Sequence, residues 1–316
     1  MTDKKPLVIL TGPTAVGKTA LSIKLAKRIN AEIISADSMQ VYKGMDIGSA
    51  KIKKEEMEGV VHHLIDIREF DEDFNVFSFY EEAKKCISKI YENGHIPLIV
   101  GGTGFYIQSV LYDIEFGDES ENDLRQRLEN LAKNKGAGYI HKLLNRMDPL
   151  AANEIHENNV KRQIRAIEFF LQNKYSITKH NEEQRSKESP YNFVYFVLND
   201  DREKIYERID KRVDIMLEEG LVAEVKALAD RGATKDMVSM QGLGYKEILM
   251  ALDNEISLDE AVYIIKRDSR HFAKRQLTWF RREKEVSFIN RPEYENDEEI
   301  LSAMLNMLQE RGIYKN

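Results

Sequence analysis

The chain has 316 residues, 42% hydrophobic and 32% charged, with a formal net charge of −7. That length admits about two domains and that composition excludes wholesale disorder. The negative balance excludes broad adhesion to nucleic acid, so any such site has to be a local basic patch.

A single cysteine, Cys86, excludes a disulfide framework and a cysteine zinc site. It falls in an amphipathic helical segment and is expected to be inert. No apolar run approaches the roughly 18 residues of a membrane span, and Leu7–Leu10 is too short for a signal-peptide core. The chain reads as soluble and cytoplasmic, with no membrane partner, and as a monomer.

In chain order, Leu7–Leu10 is a short apolar run that predicts a buried strand. Gly12-x4-Gly17-Lys18-Thr19 follows it, within "TGPTAVGKT", and Ala20–Ile29 then has helical spacing. A Walker A pattern between a strand and a helix is built to hold phosphates. Backbone N–H groups of Gly12, Pro13 excepted, through Thr14, Ala15, Val16 and Gly17 approach phosphate oxygens. Lys18 supplies a point charge, and the Thr19 hydroxyl can ligate Mg²⁺. The alternative is a glycine-rich turn with an exposed lysine.

Further strands are expected at Glu32–Ser35, Leu64–Ile67, Ile96–Val100 and Phe193–Leu198, with a helix over Phe77–Tyr91. Alternation of this kind predicts a parallel sheet flanked by helices, an α/β core of the P-loop NTPase-like type. The strand ending in Ser35-Ala36 runs into Asp37, which is a candidate magnesium ligand, general base or cap. The strand ending at Val100 runs into Gly101-Gly102-Thr103-Gly104 with no carboxylate, unlike most nucleotide hydrolases.

From about 120 to 189 no strand is expected, and the segment reads as an all-helical insertion domain in a core formed by 1–119 and 190–316. Leu124, Leu128 and Leu131 repeat at helical spacing. Asp148-Pro149 starts a helix, and Val160, Ile164, Ile167 and Leu171 mark another. The polar run Lys179–Pro190 leads back to the core. Beyond Leu198 the chain is mostly helical, and Ser257-Leu258-Asp259-Glu260 has capping-box spacing. Adjacent His62 and His63 on a strand would point to opposite faces, which argues for packing rather than metal binding.

"GPTAVGKT", "SADSMQVYKGMDIGSAK", "HHLIDI", "VGGTGFY", "GLGYKE" and "AKRQLTWFRR" occur in that order. From Leu7 to about Arg282 the chain resembles the tRNA dimethylallyltransferases, also called tRNA isopentenyltransferases. It resembles the bacterial form, without the zinc finger of many eukaryotic members. Val60-Val61 stands before the histidine pair where the family often has a proline.

The resemblance implies prenyl transfer. The N6 amine of the adenosine 3′ of the anticodon (tRNA position 37) attacks C1 of dimethylallyl diphosphate. N6-isopentenyladenosine forms and pyrophosphate leaves. The loop would then hold a leaving group rather than a nucleotide. Asp37 is the candidate base for a poorly nucleophilic, delocalised amine. Charge growing on the diphosphate needs the loop N–H groups, Lys18, Mg²⁺ at Thr19 and an arginine. Arg208 and Arg212 lie four apart on one helix face. One of them is implied to meet the diphosphate, with Arg212 favoured, the alternative being a solvated face paired with Glu207 and Asp210.

Eight basic residues against two acidic ones between Lys266 and Lys284 suit the anticodon stem-loop. Among them Lys274, Arg275 and Arg281 flank Trp279, the alternative being a solvated helix with Trp279 in the core. The resemblance also implies tRNA contacts at Asp37, Ser38, Met39, Gln40, Thr103 and near Arg125. It adds Lys161, Arg162, Gln163, Ile164 and Arg165, and the loop with Gly242, Gly244 and Tyr245. Thr103 and the 242–247 loop are otherwise plain glycine-permitted turns. A stacked adenine has to be flipped out to reach the diphosphate, so the two substrates are expected to enter from opposite sides. Three other functions fit less of the sequence: prenylation of free AMP, phosphorylation of a small metabolite, and RNA binding under nucleotide control.

Overall fold

A computed structural model of the chain describes residues 4–116 and 122–315. The expected boundary at 119/120 lies outside the described residues. The chain forms two compact units, one of Met1–Leu111 with Pro190–Asn316 and the other of Tyr112–Ser189.

In the first unit, β1 (Pro6–Thr11) is central, because β4 (Ile96–Gly101) and β5 (Asn192–Asn199) pair with its two edges. Leu7–Leu10 are fully buried. An unbroken apolar run is what a parallel strand covered on both faces requires. The sheet is parallel throughout, in the order β3-β2-β4-β1-β5-β6, with β2 at Ala31–Ala36, β3 at His62–His63 and β6 at Val286–Asn290. Thr11, Ala36 and Gly101 are register neighbours at the carboxyl ends of β1, β2 and β4. The loops after these three strands are therefore side by side, where parallel sheets bind ligands.

Helix α1 (Lys18–Ile29) follows β1, and α2 (Val76–Glu92) and α3 (Gly104–Leu111) flank β4. Asn75 caps α2 by accepting from the Ser78 N–H at 3.0 Å. Cys86, on α2, is partly buried, and burial pushes its thiol up to about 11, too high for a nucleophile. Among the described residues no helix is long and apolar enough to cross a membrane.

One expectation for this unit is corrected. The expected strand at Leu64–Ile67 is a turn segment, and only His62–His63 pairs with β2. Leu64 and Asp66 have φ of 63° and 54°, which no strand accommodates. Strand β6, directly after the charged run Arg281–Glu285, was not anticipated.

The second unit is a helical bundle: α4 (Asn122–Lys135), α5 (Ala137–Met147), α6 (Pro149–Glu154), α7 (Val160–Asn173) and α8 (Ile177–Ser186). Its core joins Leu128, Ile140, Leu144, Ala151, Ile164 and Ile167. Buried Asp148 is its polar pin. Oδ1 accepts from the Ala151 N–H at 3.1 Å, capping α6, and from the Ser176 hydroxyl at 2.9 Å. Oδ2 accepts from the Ile177 N–H at 3.3 Å, the first residue of α8. The polar run after Lys179 is thus helical as far as Ser186, with its first residue tied to Asp148 and His180 against the Phe169 ring.

The rest of the first unit is α9 (Arg202–Glu218), α10 (Leu221–Asp230), α11 (Tyr245–Leu252), α12 (Leu258–Phe280) and α13 (Asp297–Glu310). Ser257 caps α12 through the Glu260 N–H at 3.1 Å.

Candidate active site and RNA-facing surfaces

The phosphate loop curls between β1 and α1 with three residues in left-handed or positive-φ backbone, Gly12, Ala15 and Gly17 (148°, 62° and 93°). Gly12 is obligatory, since a Cβ there would lie 2.3 Å from the Leu198 carbonyl oxygen. Ala15 packs on Ile205 and Ile209 of α9 and Ala273 of α12. Arg291 braces the far side, donating from Nε to the Val16 carbonyl at 3.3 Å while paired with Asp297.

Lys18 Nζ donates to the loop's own carbonyls, Gly12 at 3.0 Å and Pro13 at 2.8 Å. Burial pushes Lys18 down to about 8, the nearby Arg212 charge adds to this, and Asp37 opposes it. Burial also lowers Arg212, again opposed by Asp37. Two cations share one desolvated spot with a single carboxylate beside them, an arrangement that favours a bound anion.

The two candidate arginines have different surroundings. Arg212 Nη1 donates to the Thr14 hydroxyl at 3.4 Å, at the loop itself. Arg208 Nη2 pairs at 2.7 Å with Asp200, a buried carboxylate just past β5.

Asp37 stands directly after β2. Its Oδ1 accepts from the Met39 N–H at 2.8 Å and the Gln40 N–H at 3.4 Å, so it caps the following turn. Among the described residues Oδ2 accepts no hydrogen bond. A carboxylate held by one oxygen and open at the other can cap and accept a proton at once. Gln40 is fixed by the Ser35 hydroxyl at 3.1 Å and reaches the carbonyls of Ser49 and Ala50. The Thr103 N–H donates to the Ala36 carbonyl at 3.2 Å, tying the loop after β4 to the base of Asp37.

Thr19 is exposed at the start of α1. Among the described residues no three His, Cys, Asp or Glu side chains group so as to hold a metal ion. One hydroxyl beside a phosphate loop suits a hard divalent ion held mainly by ligand oxygens and water.

Helix α12 divides the basic stretch. Lys266 pairs with Asp214 at 2.6 Å, Arg267 with Asp268 at 2.7 Å and Arg270 with Asp210 at 2.5 Å. Lys274, Arg281 and Arg282 are exposed with no carboxylate partner among the described residues, and Arg275 lies over the Phe272 ring. Free positive charge is therefore concentrated at the carboxyl end of α12. Trp279 is half-buried there, edge-on to exposed Phe105, and its indole N–H has no partner among the described residues.

Among the other expected RNA contacts, Tyr245, Gly242, Gly244, Gln163 and Ile164 are buried, whereas Arg125 is exposed. Tyr245 is fully buried, and its hydroxyl donates to Glu224 at 2.7 Å, which with burial raises its pKa. The same Glu224 accepts from the N–H groups of Asp46, Ile47 and Gly48 at 2.9, 2.8 and 3.1 Å, anchoring that loop. Gly244 opens α11 through a bond from its N–H to Glu247 at 2.9 Å, and Gly242 lies against the Met39 side chain. In the second unit, Ile164 is core and Gln163 is buried, donating to the carbonyls of His156 and Glu157. Arg125 makes a two-pronged pair with buried Glu168 at 3.0 and 2.8 Å. Lys161 and Arg162 are exposed and Arg165 is half-buried.

Sequence reasoning missed Glu224 and Arg291, which carry no motif. It also missed Gln276, although that residue lies inside "AKRQLTWFRR".

The model of the IPP transferase family matches residues 40–283. The chain belongs to the IPP transferase family. The chain is 59% identical to a tRNA dimethylallyltransferase of Lachnoclostridium phytofermentans, over 98% of its length and 100% of the relative. It is 52% identical to a tRNA dimethylallyltransferase of Acetivibrio thermocellus, over 98% and 99%. Among solved structures, it matches a tRNA isopentenylpyrophosphate transferase from Bacillus halodurans with a TM-score of 0.74 and 44% identity, covering 98% of each chain. It matches a eukaryotic dimethylallyltransferase acting on tRNA with a TM-score of 0.82 and 26% identity, covering 99% of this chain and 81% of that chain.

Proposed function

We propose that the protein transfers the dimethylallyl group of dimethylallyl diphosphate to N6 of the adenosine 3′ of the anticodon, tRNA position 37. The products are N6-isopentenyladenosine and pyrophosphate. The observation that carries this reading is a phosphate loop whose two half-buried cations, Lys18 and Arg212, share the field of one half-used carboxylate, Asp37. The loop after β4 has glycines where a nucleotide hydrolase would have its acidic residue.

In the reaction the loop N–H groups, Lys18 and Arg212 hold the diphosphate and stabilise the charge that grows as the allylic C–O bond breaks. Thr19 would be the protein ligand of a Mg²⁺ ion, which when bound would supply further charge neutralisation. Asp37 accepts the N6 proton through Oδ2 as the C–N bond forms, while Oδ1 keeps the carboxylate aimed.

On the RNA side, Lys274, Arg275, Arg281, Lys161, Arg162 and Arg165 bind phosphates, and Ser38, Gln40, Thr103 and Trp279 meet the flipped-out base or its neighbours. Tyr245, Gln163 and Ile164 act beneath these surfaces, and Arg125 stands at the surface over buried Glu168. The test is incubation with unmodified tRNA, Mg²⁺ and labelled dimethylallyl diphosphate, with AMP and ATP in parallel tubes. Label in tRNA supports the proposal. Label in AMP alone, or ATP consumption without label transfer, overturns it.

A further inference from the structure

Gln276 projects from α12 into the space between the phosphate loop and the loop after β4, and it is almost fully buried. Its amide is used at both ends. Oε1 accepts from the Thr14 N–H at 2.9 Å, and Nε2 donates to the Gly102 carbonyl at 3.0 Å. Its neighbours on the same helix face serve the same two loops: Ala273 packs on Ala15, and the Trp279 indole lies against Gly104.

Gly102 is what admits the amide, since a Cβ at that position would lie 2.2 Å from Nε2. The bridge continues toward the carboxylate. Gly102 is followed by Thr103, whose N–H donates to the Ala36 carbonyl at 3.2 Å, and Ala36 is followed by Asp37. A continuous path therefore runs from Thr14 through Gln276, Gly102 and Thr103 to the residue before Asp37. Within that path Gln276 is the one side chain, and only a group with an acceptor and a donor on one planar end can span both loops.

We infer that Gln276 is a positioning residue that sets the separation between the diphosphate-holding loop and the Asp37 carboxylate. The inference rests on the reading of Asp37 as base and of the loop as the diphosphate site. Leaving group and base act on opposite sides of one reacting centre, so an error in their spacing is felt in the chemical step more than in binding either substrate.

The test is a double-mutant cycle on the full chain, measuring kcat, both KM values and Tm for Gln276→Leu, Asp37→Asn and the double variant. In Gln276→Leu, kcat for label transfer to tRNA is expected to fall about 10- to 100-fold, with both KM values within about threefold. With Asp37→Asn already present, Gln276→Leu is expected to cost less than about twofold more, because no base remains to be misplaced. A Gln276→Glu variant keeps the acceptor for Thr14, loses the donor to Gly102 and puts a negative charge beside the loop. It is expected to raise KM for dimethylallyl diphosphate as well as lower kcat.

An unchanged kcat in Gln276→Leu overturns the inference, as do full additivity with Asp37→Asn or a fall in kcat that follows only loss of folded protein. Wild-type protein that fails to label tRNA overturns the functional reading itself, which the same assay shows before any variant is compared.

Discussion

The two ends of the sheet treat their charged groups in opposite ways. At the amino end, buried Glu32 is saturated: His63 Nε2 lies 2.6 Å from Oε2, and His95 Nδ1 at 2.5 Å and Asn93 Nδ2 at 3.1 Å reach Oε1. At the carboxyl end, among the described residues, Lys18 spends its protons on carbonyls of its own loop, Arg212 donates to a hydroxyl, and Asp37 keeps one oxygen open. Both ends bear the desolvation cost of charge, but only one leaves hydrogen-bonding capacity unspent. Saturated groups of this kind hold a fold together, whereas unspent ones near a loop built for phosphate define a site.

The comparison breaks most sharply at Asp37. Asp37→Ala is expected to slow transfer at least about 10²-fold, the usual scale for a general base, with tRNA binding retained in a filter assay. Equal activity in that variant would mean Asp37 is only a turn cap. Next come the two arginines. Arg212→Ala is expected to cost about 10²-fold in kcat/KM by loss of a donor to the leaving group. Arg208→Ala, which leaves buried Asp200 without its partner, is expected to lower Tm more than kcat. Reversal of that order in steady-state kinetics would exchange their roles.

At the saturated end, Glu32→Gln is expected to leave kcat within about twofold and to lower stability at neutral pH by about 1–3 kcal/mol in urea titration. Burial pushes the Glu32 carboxyl up, but hydrogen bonds from His63, Asn93 and His95 outweigh it and hold the group below its ordinary 4.5. A carboxylate with a depressed folded-state pKa stabilises the protein above its unfolded value, and that contribution is lost as pH falls. Wild-type stability is therefore expected to drop below pH 4.5 more steeply than that of Glu32→Gln. The smallest effect belongs to the surface. Lys274→Ala is expected to weaken tRNA binding slightly and to reduce the slope of log K against log salt by about 0.7–0.9, one phosphate contact. Lys266→Ala, already neutralised by Asp214, is expected to change that slope less.

Much of this was legible from local pattern. A buried parallel strand has to be apolar throughout, so Leu7–Leu10, Ile96–Val100 and Phe193–Leu198 announce themselves. The phosphate loop does too, because its glycine spacing follows from backbone geometry at a single turn. Leu64–Ile67 misled for the same reason: an apolar run says that residues are buried, not that their φ is negative. Helix α8 was hidden because its polar sequence carries no apolar period and its start is tied to Asp148, about thirty residues earlier in the chain.

The sequence by itself determined the four longer strands, the phosphate loop and the family, and it offered Asp37, Lys18 and two arginines as candidates for the chemistry, because each of these is read from neighbours in the chain or from short motifs. Tertiary structure alone decided that Arg212 reaches the loop while Arg208 is held by Asp200, and that among the described residues Lys266, Arg267 and Arg270 are paired whereas Lys274 is not. It also decided that Tyr245 and Ile164 are core residues, and that Gln276 joins segments 262 and 174 residues away. The reason is physical. A side chain's charge and hydrogen-bonding capacity are written in its identity, but which of them remain unspent depends on partners that only folding brings within reach.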